Sequence, residues 1–138
     1  MAQLVIDIGN TRTKFGVFKK GALASSGVLK GQKVKELADS VTQYGVRSSI
    51  ICNVGEDSQG LQDYLMQETK FHLFDSTSII PLKNNYHSAS TLGSDRLAAS
   101  IGSFLRFPHS NVLTIDTGTC IKYNFVNAKD EYLGGAIS

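Results

Sequence analysis

From Leu4 the chain reads LVIDIGNTRTKFGVF: an apolar run, Leu4-Val5-Ile6, enters Asp7, passes Gly9-Asn10-Thr11, and returns as Phe15-Gly16-Val17-Phe18. Two apolar runs split by a Gly-Asn-Thr turn predict strands over 3–8 and 12–19, and Lys20-Gly21 turns the chain into a third over 22–29. The period then changes. Val34, Leu37, Ala38, Val41 and Tyr44 recur at helical spacing, and Gly45 ends the run. RSSIICNV (47–54) predicts a buried strand, SQGLQDYLMQET (58–69) a helix with Leu61, Tyr64 and Leu65 on one face, and FHLFD (71–75) a further strand. Residues 76–92, STSIIPLKNNYHSASTL, are polar and irregular, a long connection of the kind that carries function. A helix from about Ser94 to Phe107 puts Leu97, Ala98, Ile101 and Leu105 on its buried side. Beyond Pro108 strands are predicted near 112–116 and 121–126, with a third near 131–133.

A meander of three strands followed by helix, strand, helix, strand, helix predicts an α/β domain. Its mixed five-stranded sheet should carry helices on both faces, in the order of the ribonuclease-H-like fold. Loops at the carboxyl ends of such strands are where a ligand binds.

Composition changes this picture little. At 138 residues, 41% apolar and 19% charged, the chain has the make-up of a globular domain. No apolar run approaches a membrane span, and the chain enters a strand at once without a signal-like segment, which reads as cytoplasmic. A net charge of +2 gives no basic surface for nucleic acid, and Lys30, Lys33 and Lys35 read as a solvated face. Cys52 and Cys120 lack a C-x-x-C partner and read as reduced thiols, Cys52 a buried one within IICNV. His72, His87 and His109 have no ligand spacing, so no protein-held transition metal is predicted.

The candidate chemistry lies in a repeat. VLTIDTGTCIKYNFV (112–126) repeats the opening: an apolar run, Asp116, Thr117, Gly118, Thr119, then another strand, with Asp116 aligned on Asp7 and Gly118 on Gly9 at an offset of 109 residues. One D-x-G is an ordinary turn former. Two, each between strands, read as paired phosphate-facing hairpins, with glycine allowing close approach and Asn10, Thr11, Thr119 and backbone N–H groups holding phosphate oxygens. Carboxylates repel phosphate, so Asp7 and Asp116 read as holders of a cation, Mg²⁺ on a nucleotide. Neither G-x-x-x-x-G-K-[ST] nor G-x-G-x-x-G occurs. In TLGSDRLAAS (91–100), Gly93 and Ser94 lead into a helix opening with Asp95 and Arg96, a place for a small carboxylate-bearing substrate. Asp95 either takes a proton from a substrate hydroxyl or complements the helix dipole; both readings stay open.

In order and spacing, DIGNT (7–11), GSDR (93–96), DTGT (116–119) and GGAI (134–137) resemble the type III pantothenate kinases, of the actin-like, sugar-kinase-like ATPase superfamily. The resemblance implies that Asp7, Ile8, Gly9, Asn10, Thr11, Arg12, Thr13 and Lys14 line the ATP phosphates and that Thr119 touches ATP. It implies that Tyr86, Gly93, Ser94, Asp95 and Arg96 bind pantothenate, with Asp95 the proton acceptor. Asp116 would hold a monovalent cation, K⁺ or NH₄⁺, and Mg²⁺ would accompany ATP. The implied reaction moves the γ-phosphate of ATP to pantothenate, opening coenzyme A synthesis, in a homodimer. Neither nucleic acid nor membrane is implied as a partner.

Some residues depart from the family pattern. After DTGT the family continues with Ala and threonines, whereas Cys120, Ile121 and Lys122 follow here, and Lys122 brings a charge to the cation site. Arg12 and Lys14 are more basic than is typical. Family members continue past LGGAIS with a second full domain. The expectation is therefore a first ribonuclease-H-like domain over 1–108 and the opening, incomplete, strands of a second over 109–138, inactive when alone. Two other readings compete: a non-catalytic nucleotide-binding regulator, like an accessory transcription factor, and a sugar or acetate kinase. Asp7, Asp95, Arg96 and Asp116 together favour the enzyme, since a regulator has no use for an acceptor carboxylate.

Overall fold

Strict alternation decides the first strand. In β1 (Ala2–Ile8) the side chains of Ala2, Leu4, Ile6 and Ile8 are buried and those of Gln3, Val5 and Asp7 are exposed, the period of a strand with one covered face. The computed structural model describes residues 1–138. β1 pairs antiparallel with β2 (Thr13–Lys19), and β2 with β3 (Ala22–Leu29). On its other edge β1 pairs parallel with β4 (Val46–Asn53), and β4 with β5 (Lys70–Phe74). The sheet order is β3-β2-β1-β4-β5, the ribonuclease-H-like arrangement of a meander extended by two parallel strands.

The two parallel connections are helical, as parallel pairing requires. They are α1 (Lys33–Tyr44) and α2 (Gln59–Glu68). Gly45 stops α1 in the left-handed conformation, φ 60°, and its N–H donates to the carbonyl of Thr42. Leu37 and Val41 of α1 and Leu61 and Leu65 of α2 pack with Leu4, Ile6, Ile8, Val17 and Ile51 in one core. Helices were expected on both faces of this sheet. Instead α1 and α2 pack against each other over one face, and Val5, on the other, is 39% exposed.

The chain forms two compact units, Met1–Phe74 and Asp75–Ser138, which places the division before the expected 108/109. The second unit contains β6 (Lys83–Asn84), α3 (Ser94–Arg106), β7 (Val112–Thr117), β8 (Ile121–Val126) and β9 (Glu131–Ile137), in sheet order β6-β9-β8-β7. β7, β8 and β9 form an antiparallel meander, the pattern of β1 to β3 again. The stretch 76–92, irregular by sequence, holds β6 and a short 3₁₀ turn, Ala89–Thr91. The division falls early because α3 packs on β7 and β8. Its buried side is also more polar than its apolar spacing indicates: Ser94, Arg96, Leu97 and Ser100 are buried, whereas Leu105 is 66% exposed. Ser103 and Thr114 share a hydroxyl hydrogen bond from α3 to β7. No helix is long and apolar enough to cross a membrane.

Neighbouring positions in β1 therefore differ sharply in cost. Ile6→Ala should lower the unfolding free energy of the full-length protein by about 2–5 kcal/mol, and Val5→Ala by less than about 1 kcal/mol. Urea unfolding midpoints measure both, and equal losses would contradict the one-sided burial of β1.

Candidate functional site

The first hairpin lies in the first unit. The N–H of Gly9 donates to the carbonyl of Arg12 at 2.9 Å, closing the turn between β1 and β2, and the N–H of Val54 donates to Ile8 at 3.0 Å. A Cβ on Gly55 would lie 2.3 Å from the carbonyl oxygen of Gly9, so only glycine lets the end of β4 lie against this turn. Asn10, Thr11, Arg12 and Lys14 are exposed around it. Ile8 and Thr13 are 1% and 2% exposed, which leaves only their backbone groups for a ligand. Asp7 is exposed on the open face, and Lys14 stands across from it in the ladder.

The remaining predicted residues, Tyr86, Gly93, Ser94, Asp95, Arg96, Asp116 and Thr119, all belong to the second unit. Gly93 caps α3 and Ser94 is buried in its first turn. Arg96 is 7% exposed. Its Nε–H donates to Oδ1 of Asn124 at 2.8 Å, one Nη donates to the carbonyl of Tyr123 at 3.2 Å, and the guanidinium lies over the Tyr86 ring, 5.8 Å from its centroid. Tyr132 donates its O–H to the same Oδ1 at 3.0 Å and sets its ring 6.0 Å from that of Tyr86. Burial raises the Tyr132 pKa, so the phenol stays a donor. None of the protein's ion pairs includes Arg96. A guanidinium cannot shed its proton, and a buried charge without a counter-charge is costly. The group is thus set to receive an anion or a cluster of ligand oxygens.

The glycines of GGAI make this close assembly possible. A Cβ on Gly134, whose φ is 98°, would lie 2.8 Å from the Tyr86 ring, and one on Gly135 would lie 1.7 Å from the Tyr123 carbonyl oxygen. Asn124 and Tyr132 were not singled out from the sequence. Their signal was available: Asn124 alternates with Val126 on the buried face of β8, a polar residue where the period calls for an apolar one.

The second hairpin closes when Gly118 N–H donates to the carbonyl of Cys120 at 3.1 Å, with Asp116 and Thr119 exposed. Lys122 stands across from Asp116 in the β7–β8 ladder. Its ammonium hydrogen-bonds Asp95 Oδ2 and lies 3.8 Å from Asp116 Oδ2. The other carboxylate oxygen of Asp95 accepts the N–H of Arg96 at 2.8 Å. The hydrogen bond to Asp95 raises the Lys122 pKa against the opposing effect of burial, so the side chain is a cation at neutral pH. One ammonium thus serves both carboxylates. A further monovalent cation at Asp116 does not fit, because it would meet this like charge at ion-pair distance. No group of three or more His, Cys, Asp or Glu is placed to hold a metal ion.

Asn124 offers a direct check on how Arg96 is held. Asn124→Leu removes the acceptor of two buried donors and should cost about 2 kcal/mol or more. Asn124→Asp supplies a carboxylate to the guanidinium and removes the buried Nδ2 donor that has no partner here, so it should be tolerated within about 1 kcal/mol. Denaturant unfolding of the full-length variants decides; equal losses would mean that Arg96 does not depend on this acceptor.

The sequence profile of the type III pantothenate kinases matches residues 3–138. The chain is 35% identical over 139 residues to the type III pantothenate kinase of Flavobacterium johnsoniae, covering 98% of this chain and 56% of that protein. It is 34% identical over 139 residues to that of Bacteroides fragilis strain YCH46, with the same coverage. The crystal structure described as a Baf family transcriptional activator from Campylobacter jejuni is alike in fold, with TM-score 0.54 at 21% identity over 98% of this chain and 53% of that one. The chain spans 56% of the length of these curated relatives. Matched over 3–138, with its DIGNT, GSDR, DTGT and GGAI stretches all inside the match, it belongs to the type III pantothenate kinase family.

Proposed function

We propose that the protein carrying this chain transfers the γ-phosphate of ATP to pantothenate, giving 4′-phosphopantothenate, the first step of coenzyme A synthesis. One observation carries the reading: a buried guanidinium with no carboxylate partner, beside Tyr86 and next in sequence to Asp95. Pantothenate brings a carboxylate, two hydroxyls and an amide, an oxygen-rich ligand for the unused Arg96 donors. Tyr86, Gly93 and Ser94 complete its surroundings.

In the transfer, the acceptor hydroxyl oxygen bonds to the γ-phosphorus as the bond to the β,γ-bridging oxygen breaks, and ADP leaves. The hydroxyl proton passes to Asp95. The Lys122 ammonium holds the Asp95 carboxylate in place. A loose phosphoryl-transfer transition state releases that proton late, so a positioned carboxylate suffices. The turn from Asp7 to Lys14 lines the ATP phosphates through backbone N–H groups and through Asn10, Thr11, Arg12 and Lys14, and Thr119 touches ATP. Mg²⁺ bound to the nucleotide takes most ligands from phosphate and water, which suits the single exposed carboxylate of Asp7. The same proposal includes assembly as a homodimer in the cytoplasm.

An ADP-release assay on the full-length protein tests the substrate: turnover is expected with pantothenate and not with acetate or a hexose, and the reverse would overturn the reading. Asp95→Asn should lower kcat by about 10²-fold or more while leaving ATP affinity within about threefold, because it removes the proton acceptor and spares the phosphate-binding turn. Near-wild-type turnover in that variant would reduce Asp95 to a charge at a helix terminus.

A further inference from the structure

Asp95 opens α3, Asp116 lies near the end of β7, and Lys122 reaches both from β8. The Lys122–Asp95 pair is not a loose surface pairing, with side chains 20% and 15% exposed; Asp116 is 47% exposed, and the ladder register fixes Lys122 opposite it. Lys122 is also the only cation in ion-pair contact with either carboxylate. A lysine ammonium carries the same charge as NH₄⁺ or K⁺ and, being tethered, is present at this spot at a fixed high effective concentration. We propose that Lys122 acts as a built-in monovalent cation between Asp95 and Asp116, positioning the Asp95 carboxylate and freeing the protein from any need for added K⁺ or NH₄⁺.

Removing the side chain beyond Cβ reverses the situation. Lys122→Ala leaves two neighbouring carboxylates and the space of an ammonium, a place that free NH₄⁺ can fill. The activity consequence rests on the pantothenate kinase reading; the cation dependence of stability does not.

The test compares full-length wild type and Lys122→Ala in KCl, NH₄Cl and tetramethylammonium chloride at equal ionic strength, by thermal midpoint and by turnover with ATP and pantothenate. For wild type, exchanging tetramethylammonium for K⁺ or NH₄⁺ should leave the midpoint unchanged and turnover within about twofold. For Lys122→Ala, turnover in tetramethylammonium should fall about tenfold, and NH₄⁺ should restore most of it and raise the midpoint by a few degrees. A wild-type midpoint that rises with K⁺ or NH₄⁺, or a variant midpoint that ignores them, overturns the proposal. If Lys122→Ala folds in NH₄Cl and not in tetramethylammonium chloride, that supports it; failure to fold in either counts against it. Absence of pantothenate turnover in wild type would overturn the kinase reading alone, and the midpoints would still decide the role of Lys122.

Discussion

Arg96 is buried to 7% exposure with its Nε–H on the neutral amide of Asn124 and its guanidinium carbon over the Tyr86 ring. This one desolvated charge constrains the second unit. It requires Asn124 at a position of β8 that the strand period gives to an apolar side chain, and Tyr132 fully buried with its hydroxyl on the same acceptor. It also requires Gly134 and Gly135, because a side chain at either place would strike Tyr86 or the Tyr123 carbonyl. Buried charges without counter-charges are poor investments in stability, and they are common where a ligand supplies the missing partner. The GSDR and GGAI stretches are thus two sides of one assembly: the first presents the guanidinium, and the second clears the space around it.

The two hairpins share a second pattern. Each has a carboxylate near the end of its first strand, Asp7 or Asp116, and each places a lysine across the ladder from it, Lys14 or Lys122. Both turns close through a glycine N–H, Gly9 to Arg12 and Gly118 to Cys120. In the second hairpin a protein ammonium lies beside Asp116 and is shared with Asp95.

Much of this was legible in the residues. Alternation in β1 and helical spacing in α1 gave the elements of the first unit within a residue or two, because burial there is apolar and periodic. The repeat of Asp7-x-Gly9 in Asp116-x-Gly118 was legible for the same reason: each glycine follows an apolar run that can only be a strand. The second unit was harder to read. Apolar spacing put Leu105 inside α3, yet the helix buries Arg96, Ser100 and Leu97 against β7 and β8 and leaves Leu105 out, since the polar partners on the sheet decide which side is turned inward. The compact units divide after Phe74 and not after residue 108, because a helix that follows β5 in sequence packs on strands that come after it. Lys122 was visible only as an added charge. Its pairing with Asp95 joins residues 27 positions apart, which no local pattern reveals.

In the proposed function, the Arg96 guanidinium and Tyr86 hold pantothenate. A crystal structure of the full-length protein with pantothenate and a non-hydrolysable ATP analogue tests it most directly. Pantothenate is expected against Tyr86, Asp95 and Arg96, with oxygen atoms of the ligand accepting from the guanidinium. Pantothenate bound elsewhere, with Arg96 still held by Asn124 and the Tyr123 carbonyl alone, would contradict it.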